Sequence, residues 1–323
     1  MRNFLSKKWM AVCLITLFAA SVAYKIPVSA TATASPPPTA APISTAAPAE
    51  DDLDDTEVFF RREKEAHVPI IMYHLVTERS RYIGKYGISP QELEADLKYL
   101  DANGYNTIVI QDLINFVEKG KRLPKKPIIL TFDDSNASDF NYLYPLLKEY
   151  DMQAVISIMG KAVDESTQGK AKYPAGKYPN LTWQEIKEMH DKGVVEVQNH
   201  GYNVHGPAGS GKLKRESPEA YHQRLLADLT KLQDLCEEHF DARPTTFCYP
   251  LGIISQGSRA VLEEMGLKAS LSCQEGINVI KYGENECLFR LTRNNRPSGK
   301  SIEKVLDDIW KDAEKRGIGK DKD

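Results

Sequence analysis

The stretch KPIILTFDDS, Lys126 to Ser135, runs an apolar strand pattern straight into two adjacent carboxylates, Asp133 and Asp134. Charge at the mouth of a buried strand is costly unless a metal or a partner uses it. The same design of apolar run and polar end recurs along the chain. VPIIMYH (68–74) ends on His74, GVVEVQ (193–198) leads into Asn199 and His200, and TTFCY (245–249) ends on Tyr249. With NTIVI (106–110), QAVISIM (153–159) and KASLS (268–272) these make seven short strand patterns. Helical patterns separate most of them. Ser89-Pro90-Gln91-Glu92 reads as an N-cap, a proline at the first helical position and a capping glutamate, opening a helix to about Asn103. DFNYLYPLLKEY, TWQEIKEMHDKG and SPEAYHQRLLADLTKLQDLCEEHF are the clearest of the others.

Strands alternating with amphipathic helices predict a parallel sheet in an α/β fold, either closed into a barrel or open and doubly wound. The polar strand ends favour the barrel, because there the reactive groups come from the C-terminal ends of several different strands. An open sheet would gather its ligand at one switch point, and no glycine-rich phosphate loop marks one.

The remaining sequence bounds this domain. Arg2, Lys7 and Lys8 precede an apolar run from Trp9 to Ala23, the order of an export signal, and Val28-Ser29-Ala30 offers a cleavage site. Residues 1–30 are therefore expected to be a signal peptide or a retained membrane anchor. Thr31 to Ala49 is almost wholly Ala, Thr, Pro and Ser, and an acidic run, Glu50 to Asp55, follows. Such a segment buries too little apolar surface to order itself, so 31–65 is expected to be a disordered linker, 66–315 the folded domain and 316–323 a flexible tail. The acidic run lacks calcium-loop spacing and reads as a solvated hinge. A net charge of −3 excludes a global basic field, so no nucleic-acid partner is expected. Cys236, Cys248, Cys273 and Cys287 show no CxxC spacing, and disulfides are not required of them.

The chemistry concentrates at three strand ends. Adjacent carboxylates on an irregular turn can point different ways, so one can hold a metal while the other takes a proton from an attacking water. A bare Asp-Asp pair also reads as helix capping by Asp134 or Ser135. VQNHGYNVHG (197–206) adds His200 and His205 after a second strand. Imidazole is a favoured zinc ligand, and Asp134, His200 and His205 would make a three-ligand set with an open position, although either histidine alone is more often a core or surface residue. TTFCYPLG (245–252) ends a third strand in a turn whose backbone N–H could face an oxyanion, against a plain turn reading for Tyr-Pro alone.

These three segments, in this order and at these separations, resemble the polysaccharide deacetylases of carbohydrate esterase family four, the NodB-homology domain. The opening PIIMYHLV and the segment LTFDDSNASDFNYLYPLLKEY carry the same likeness, and the His200–His205 spacing is similar to the branch acting on poly-N-acetylglucosamine. The resemblance implies a distorted (β/α)7 barrel, with Asp133 as catalytic base and Asp134, His200 and His205 as ligands of one divalent metal, zinc expected and cobalt or nickel as alternatives. It further implies the backbone N–H of Tyr249 as oxyanion donor. His74, Pro250 and Arg293 are candidate substrate-binding residues, Arg290 and Arg296 standing beside Arg293 as further candidates for contacts to substrate or base. The implied activity is N-deacetylation of an N-acetylhexosamine polymer by a secreted or cell-surface monomer. O-acetyl esterase activity on xylan and an inactive glycan-binding protein are the alternatives. This sequence departs from the family pattern at Ser135, where most members have Gly, at Gly201, where they have Ser or Thr, and at Cys248, where many have an Arg that orients the base. It also lacks the usual late histidine, since none follows His239.

Overall fold

The computed structural model describes residues 64–170 and 179–319. The expected signal or anchor, nearly all of the expected linker and the last four residues lie outside the described residues. Among the described residues the main sheet has eight strands, the two-residue Asn106–Thr107 and seven on one continuous path: β1 Ile70–Tyr73, β2 Pro127–Asp133, β3 Ala154–Ile158, β4 Val195–Asn199, β5 Thr246–Cys248, β6 Ala269–Leu271 and β7 Asn294–Asn295. Their order is β6-β5-β4-β3-β2-β1-β7 and every pairing is parallel. The sheet curls, and the segment leading into β7 reaches its far edge. Leu291 bridges Leu271 of β6, while Asn294 and Asn295 pair with Ile71 and Met72 of β1. A short bridge therefore closes the ring where a full strand would stand, which is the distortion of the barrel.

The helices follow from local signals. They are α1 Pro90–Ala102, α2 Ile110–Lys119, α3 Tyr144–Glu149, α4 Gly160–Thr167, α5 Trp183–Asp191, α6 Pro218–Phe240, α7 Ser258–Glu264 and α8 Ile302–Lys315. At the start of α1 the Ser89 Oγ accepts the Glu92 N–H at 3.1 Å, and the Glu92 carboxylate accepts the Ser89 N–H at 2.9 Å. Both orphan donors of the first turn are satisfied reciprocally. Ser89→Ala is expected to lower the unfolding free energy in urea by about 1 kcal/mol; an unchanged midpoint would show the cap to be idle. NTIVI is a correction to the sequence reading. Only Asn106–Thr107 extends, beside β2, and Ile110 already begins α2. The Asp112 carboxylate accepts the Val109 N–H at 3.1 Å, and the half-buried Glu196 carboxylate accepts the N–H groups of Ile110 and Gln111 at 2.8 and 3.0 Å. These bonds favour a helix start over two more strand residues.

Both sheet faces are buried, as a parallel sheet requires. Because strand side chains alternate, Ile128, Leu130 and Phe132 of β2 pack outward with Leu93 and Leu97 of α1 and with Ile302 and Leu306 of α8. Ile129 packs in a second cluster with Ile70, Val155 and Leu271. Thr131 and Asp133 share the Ile129 face of β2, so that face turns from apolar to charged toward the C-terminal end of the strand. The polar strand ends thus collect on one rim.

Candidate active site

The turn after β2 is unusual backbone. Asp134 and Ser135 have φ of 76° and 55°, left-handed values at two consecutive non-glycine residues, each costing on the order of 1 kcal/mol or more. Side chains hold the turn in place. Ser135 Oγ accepts the Met159 N–H at 2.7 Å, and the Asn180 amide donates to the carbonyls of Asp134 at 2.9 Å and Ser135 at 3.2 Å. Asn136 donates to the carbonyls of Asp133 and His74. The serine that replaces the family's glycine is therefore paired, and the turn survives the exchange.

After β4, the His200 Nδ1–H donates to the Cys248 carbonyl at 2.8 Å, which leaves Nε2 facing the turn. His200 Nε2 and His205 Nε2 lie 3.5 and 3.2 Å from the same Asp134 Oδ1. Gly201 between them has φ of 89°, and a Cβ there would stand 2.2 Å from Val204 Cγ2, so the Ser or Thr of other members does not fit this loop. Asp228 of α6 accepts the N–H groups of Tyr202 and Asn203 at 2.7 and 2.9 Å and fixes the path between the two histidines. One carboxylate and two imidazoles, all within 4.8 Å of one another, form a donor set that fits a divalent cation. Burial pushes the Asp134 carboxyl up, but hydrogen bonds from His200 and His205 outweigh it and hold the group well below the usual carboxylate range.

Asp133 points the other way, into the barrel, and is 2% exposed. Arg293 meets it there, with Nη1 2.9 Å from Oδ1 and 2.8 Å from Oδ2. The same guanidinium donates to the Ser272 carbonyl at 2.8 Å and to Thr131 Oγ1 at 3.3 Å. Cys248 Sγ lies 3.5 Å from the Asp133 carboxylate. Burial raises the Asp133 carboxyl, yet the Arg293 guanidinium and the His200 and His74 rings more than offset it, so the group stays below its ordinary value. Arg293 is 0% exposed, which corrects its reading as a substrate-binding residue: it stands behind Asp133 and does not face the rim. Arg296 is also buried, in a bidentate pair with Asp96 away from the two carboxylates, at 2.8 and 2.9 Å.

Two further expectations are corrected. The Tyr249 N–H donates to the Leu271 carbonyl at 3.0 Å, continuing the β5–β6 ladder, so it is committed to the sheet and not free for an oxyanion. Its side chain is buried too, with the hydroxyl 3.0 Å from Ser258 Oγ. Pro250 is likewise buried, and it opens a 3-10 turn to Gly252. The next N–H along the chain belongs to Leu251, which makes no hydrogen bond among the described residues and whose side chain is 56% exposed. His74 stands at the rim as expected, half-buried, and burial pulls its imidazole down against the opposing pull of Asp133 and Asp134.

The family model for polysaccharide deacetylases matches residues 120–270, the span from β2 to β6 that holds both carboxylates, both histidines and the Cys248 turn. That segment is a polysaccharide deacetylase domain. A Bacillus subtilis protein named as a polysaccharide deacetylase, YxkH, is 27% identical over 223 residues, 69% of this chain and 70% of its own length. The poly-beta-1,6-N-acetyl-D-glucosamine N-deacetylase of Staphylococcus aureus is 26% identical over 199 residues, 61% of this chain and 64% of that enzyme. The match thus spans a little less than two thirds of the staphylococcal protein. Among solved structures, a de-N-acetylase from Aggregatibacter actinomycetemcomitans superposes with a TM-score of 0.65 at 24% identity, covering 75% of this chain and 99% of that one. IcaB from Ammonifex degensii gives 0.60 at 22%, covering 74% and 95%. These two likenesses show the NodB-type fold in this chain.

Proposed function

We propose that this deacetylase hydrolyses the acetamide groups of N-acetylhexosamine residues in an extracellular or cell-surface polysaccharide, releasing acetate and leaving a free amine. The observation that carries the reading is the Asp134–His200–His205 donor set with the Asp133–Arg293 pair beside it. A divalent ion held by those three residues would supply Lewis acidity, polarising the acetyl carbonyl and making a water easier to deprotonate; zinc suits the set, and cobalt or nickel can replace it. Asp133, kept ionised by Arg293, accepts the proton of the attacking water as its oxygen bonds to the carbonyl carbon. The unpaired N–H of Leu251 supports the role of oxyanion donor that Tyr249 does not fill. As the C–N bond breaks, the nitrogen takes a proton from a protonated His74, which stands at the rim where the late histidine is lacking, and the proton that Asp133 took from water restores it.

The staphylococcal relative's name supports a poly-N-acetylglucosamine substrate, and the charged-then-apolar N-terminal segment supports export, cleaved or anchored. Among the described residues no helix is long and apolar enough to cross a membrane. The reading as an inactive glycan binder draws on the missing arginine and the missing late histidine, and the Arg293–Asp133 pair speaks against the first of these. Acetate release measured in parallel on poly-β-1,6-N-acetylglucosamine, peptidoglycan and acetylxylan tests the reading. The N-acetyl polymer is expected to yield acetate and amine in equal amounts, a chelator to stop the release, and added zinc or cobalt to restore it. Release from acetylxylan alone, or release indifferent to the chelator, would overturn it.

A further inference from the structure

Four large apolar side chains are strongly exposed among the described residues, and three of them lie at the rim. Tyr86 (49% exposed), Leu213 (47%) and Leu251 (56%) lie on the loops that follow β1, β4 and β5, the same strands whose ends carry His74, His200 and the Cys248 turn. Tyr86 is the aromatic member of this set. Its ring centroid lies 4.9 Å from that of His74 at 57°. The Asn136 amide donates to the carbonyls of both His74 and Asp133, so the exposed ring lies on the same rim as the reacting carboxylates.

The loop that bears Tyr86 is anchored. The Leu75 N–H donates to the Tyr86 carbonyl at 3.1 Å, Asn295 donates to the Lys85 carbonyl at 2.8 Å, and the Ser298 N–H donates to the Gly84 carbonyl at 2.9 Å. The backbone of Tyr86 is thereby fixed against β1 and the segment around β7 while its ring faces solvent. Beside His74, the exposed Lys85 ammonium stands over the ring, 4.9 Å from its centroid, and a flexible surface lysine is readily displaced. A rigidly mounted aromatic ring, open on one face beside a hydrolytic centre, matches the apolar C–H face of a pyranose.

We propose that Tyr86 is the stacking platform of a sugar subsite beside His74, binding the pyranose ring of the hexosamine polymer. This rests on the deacetylase reading above. Steady-state kinetics on N-acetylglucosamine oligomers test it with Tyr86→Ala, Tyr86→Trp and the wild type. Loss of the ring is expected to raise KM by roughly three- to tenfold, the range of one aromatic stacking contact, and to change kcat by less. Tyr86→Trp is expected to restore KM, and bound metal and melting midpoint are expected to match the wild type, since the ring is exposed. A wild-type KM in Tyr86→Ala, with the wild type active, would overturn the subsite and leave the deacetylase reading standing. A fall in kcat alone would reassign Tyr86 to positioning His74 and overturn the subsite as well. An inactive wild type would overturn both readings.

Discussion

Arg293→Met is expected to destabilise the protein by about 3–5 kcal/mol at neutral pH, because it leaves the Asp133 carboxylate buried with its partner gone. In the wild type, burial pushes Asp133 up and the guanidinium, at 2.8 Å, is the leading opposing influence. A carboxyl whose folded pKa is depressed contributes stability above its unfolded pKa, and that contribution is lost as pH falls through the folded value. Without Arg293 the sign reverses: burial then raises the group, so the variant should regain stability as pH falls below the new, higher value. The acid limb of the pH–rate profile should move upward in parallel, since the base is protonated over a wider range. Arg293 touches none of Asp134, His200 and His205, so metal content should persist. Arg293→Lys keeps the charge with fewer donors and should fall between the two. Urea unfolding at several pH values together with pH–rate profiles measures this; a variant with wild-type stability and an unmoved acid limb would remove Arg293 from its role.

Much of the site could be read before the fold was known, for a physical reason. Asp133, Asp134 and His200 directly follow apolar runs long enough to be strands, and in a parallel barrel all such ends share one rim. What failed depended on partners remote in sequence. The N–H of Tyr249 looks like a loop donor locally, yet it is taken by Leu271, 22 residues later, and nothing near Tyr249 announces that pairing. Arg290, Arg293 and Arg296 were equivalent candidates in one short segment. Only the path of the chain from the Leu271 bridge to the Ile71 pairing decides that Arg293 enters the barrel while Arg296 meets Asp96. Cys248 vacates the position from which the family's arginine acts, and Arg293 reaches the same carboxylate from the segment leading into β7. The misread end of NTIVI is a local competition, in which Asp112 and Glu196 cap a helix that periodicity alone extended as strand. The positive φ of Asp134 and Ser135 had no sequence signal beyond the family's glycine, and Asn180, which pins both carbonyls, had none.

The two neighbouring carboxylates separate the account's central claim most cleanly, because their side chains diverge. Asp134 faces the two histidines, at 3.2 and 3.5 Å, while Asp133 faces Arg293 in the barrel. Asp133→Asn keeps the size of the side chain and leaves the donor set intact. It removes the group that accepts the proton, an effect on the order of 10²-fold or more in kcat. Burying a neutral amide against Arg293 costs some stability, so melting is measured alongside to establish that the variant is folded. The measurement is metal per chain and acetate release from poly-β-1,6-N-acetylglucosamine, determined on the same preparations of wild type and Asp133→Asn. The account predicts one divalent ion per chain in both proteins, with release lost in the variant; turnover unchanged in a folded Asp133→Asn that holds its metal would contradict it.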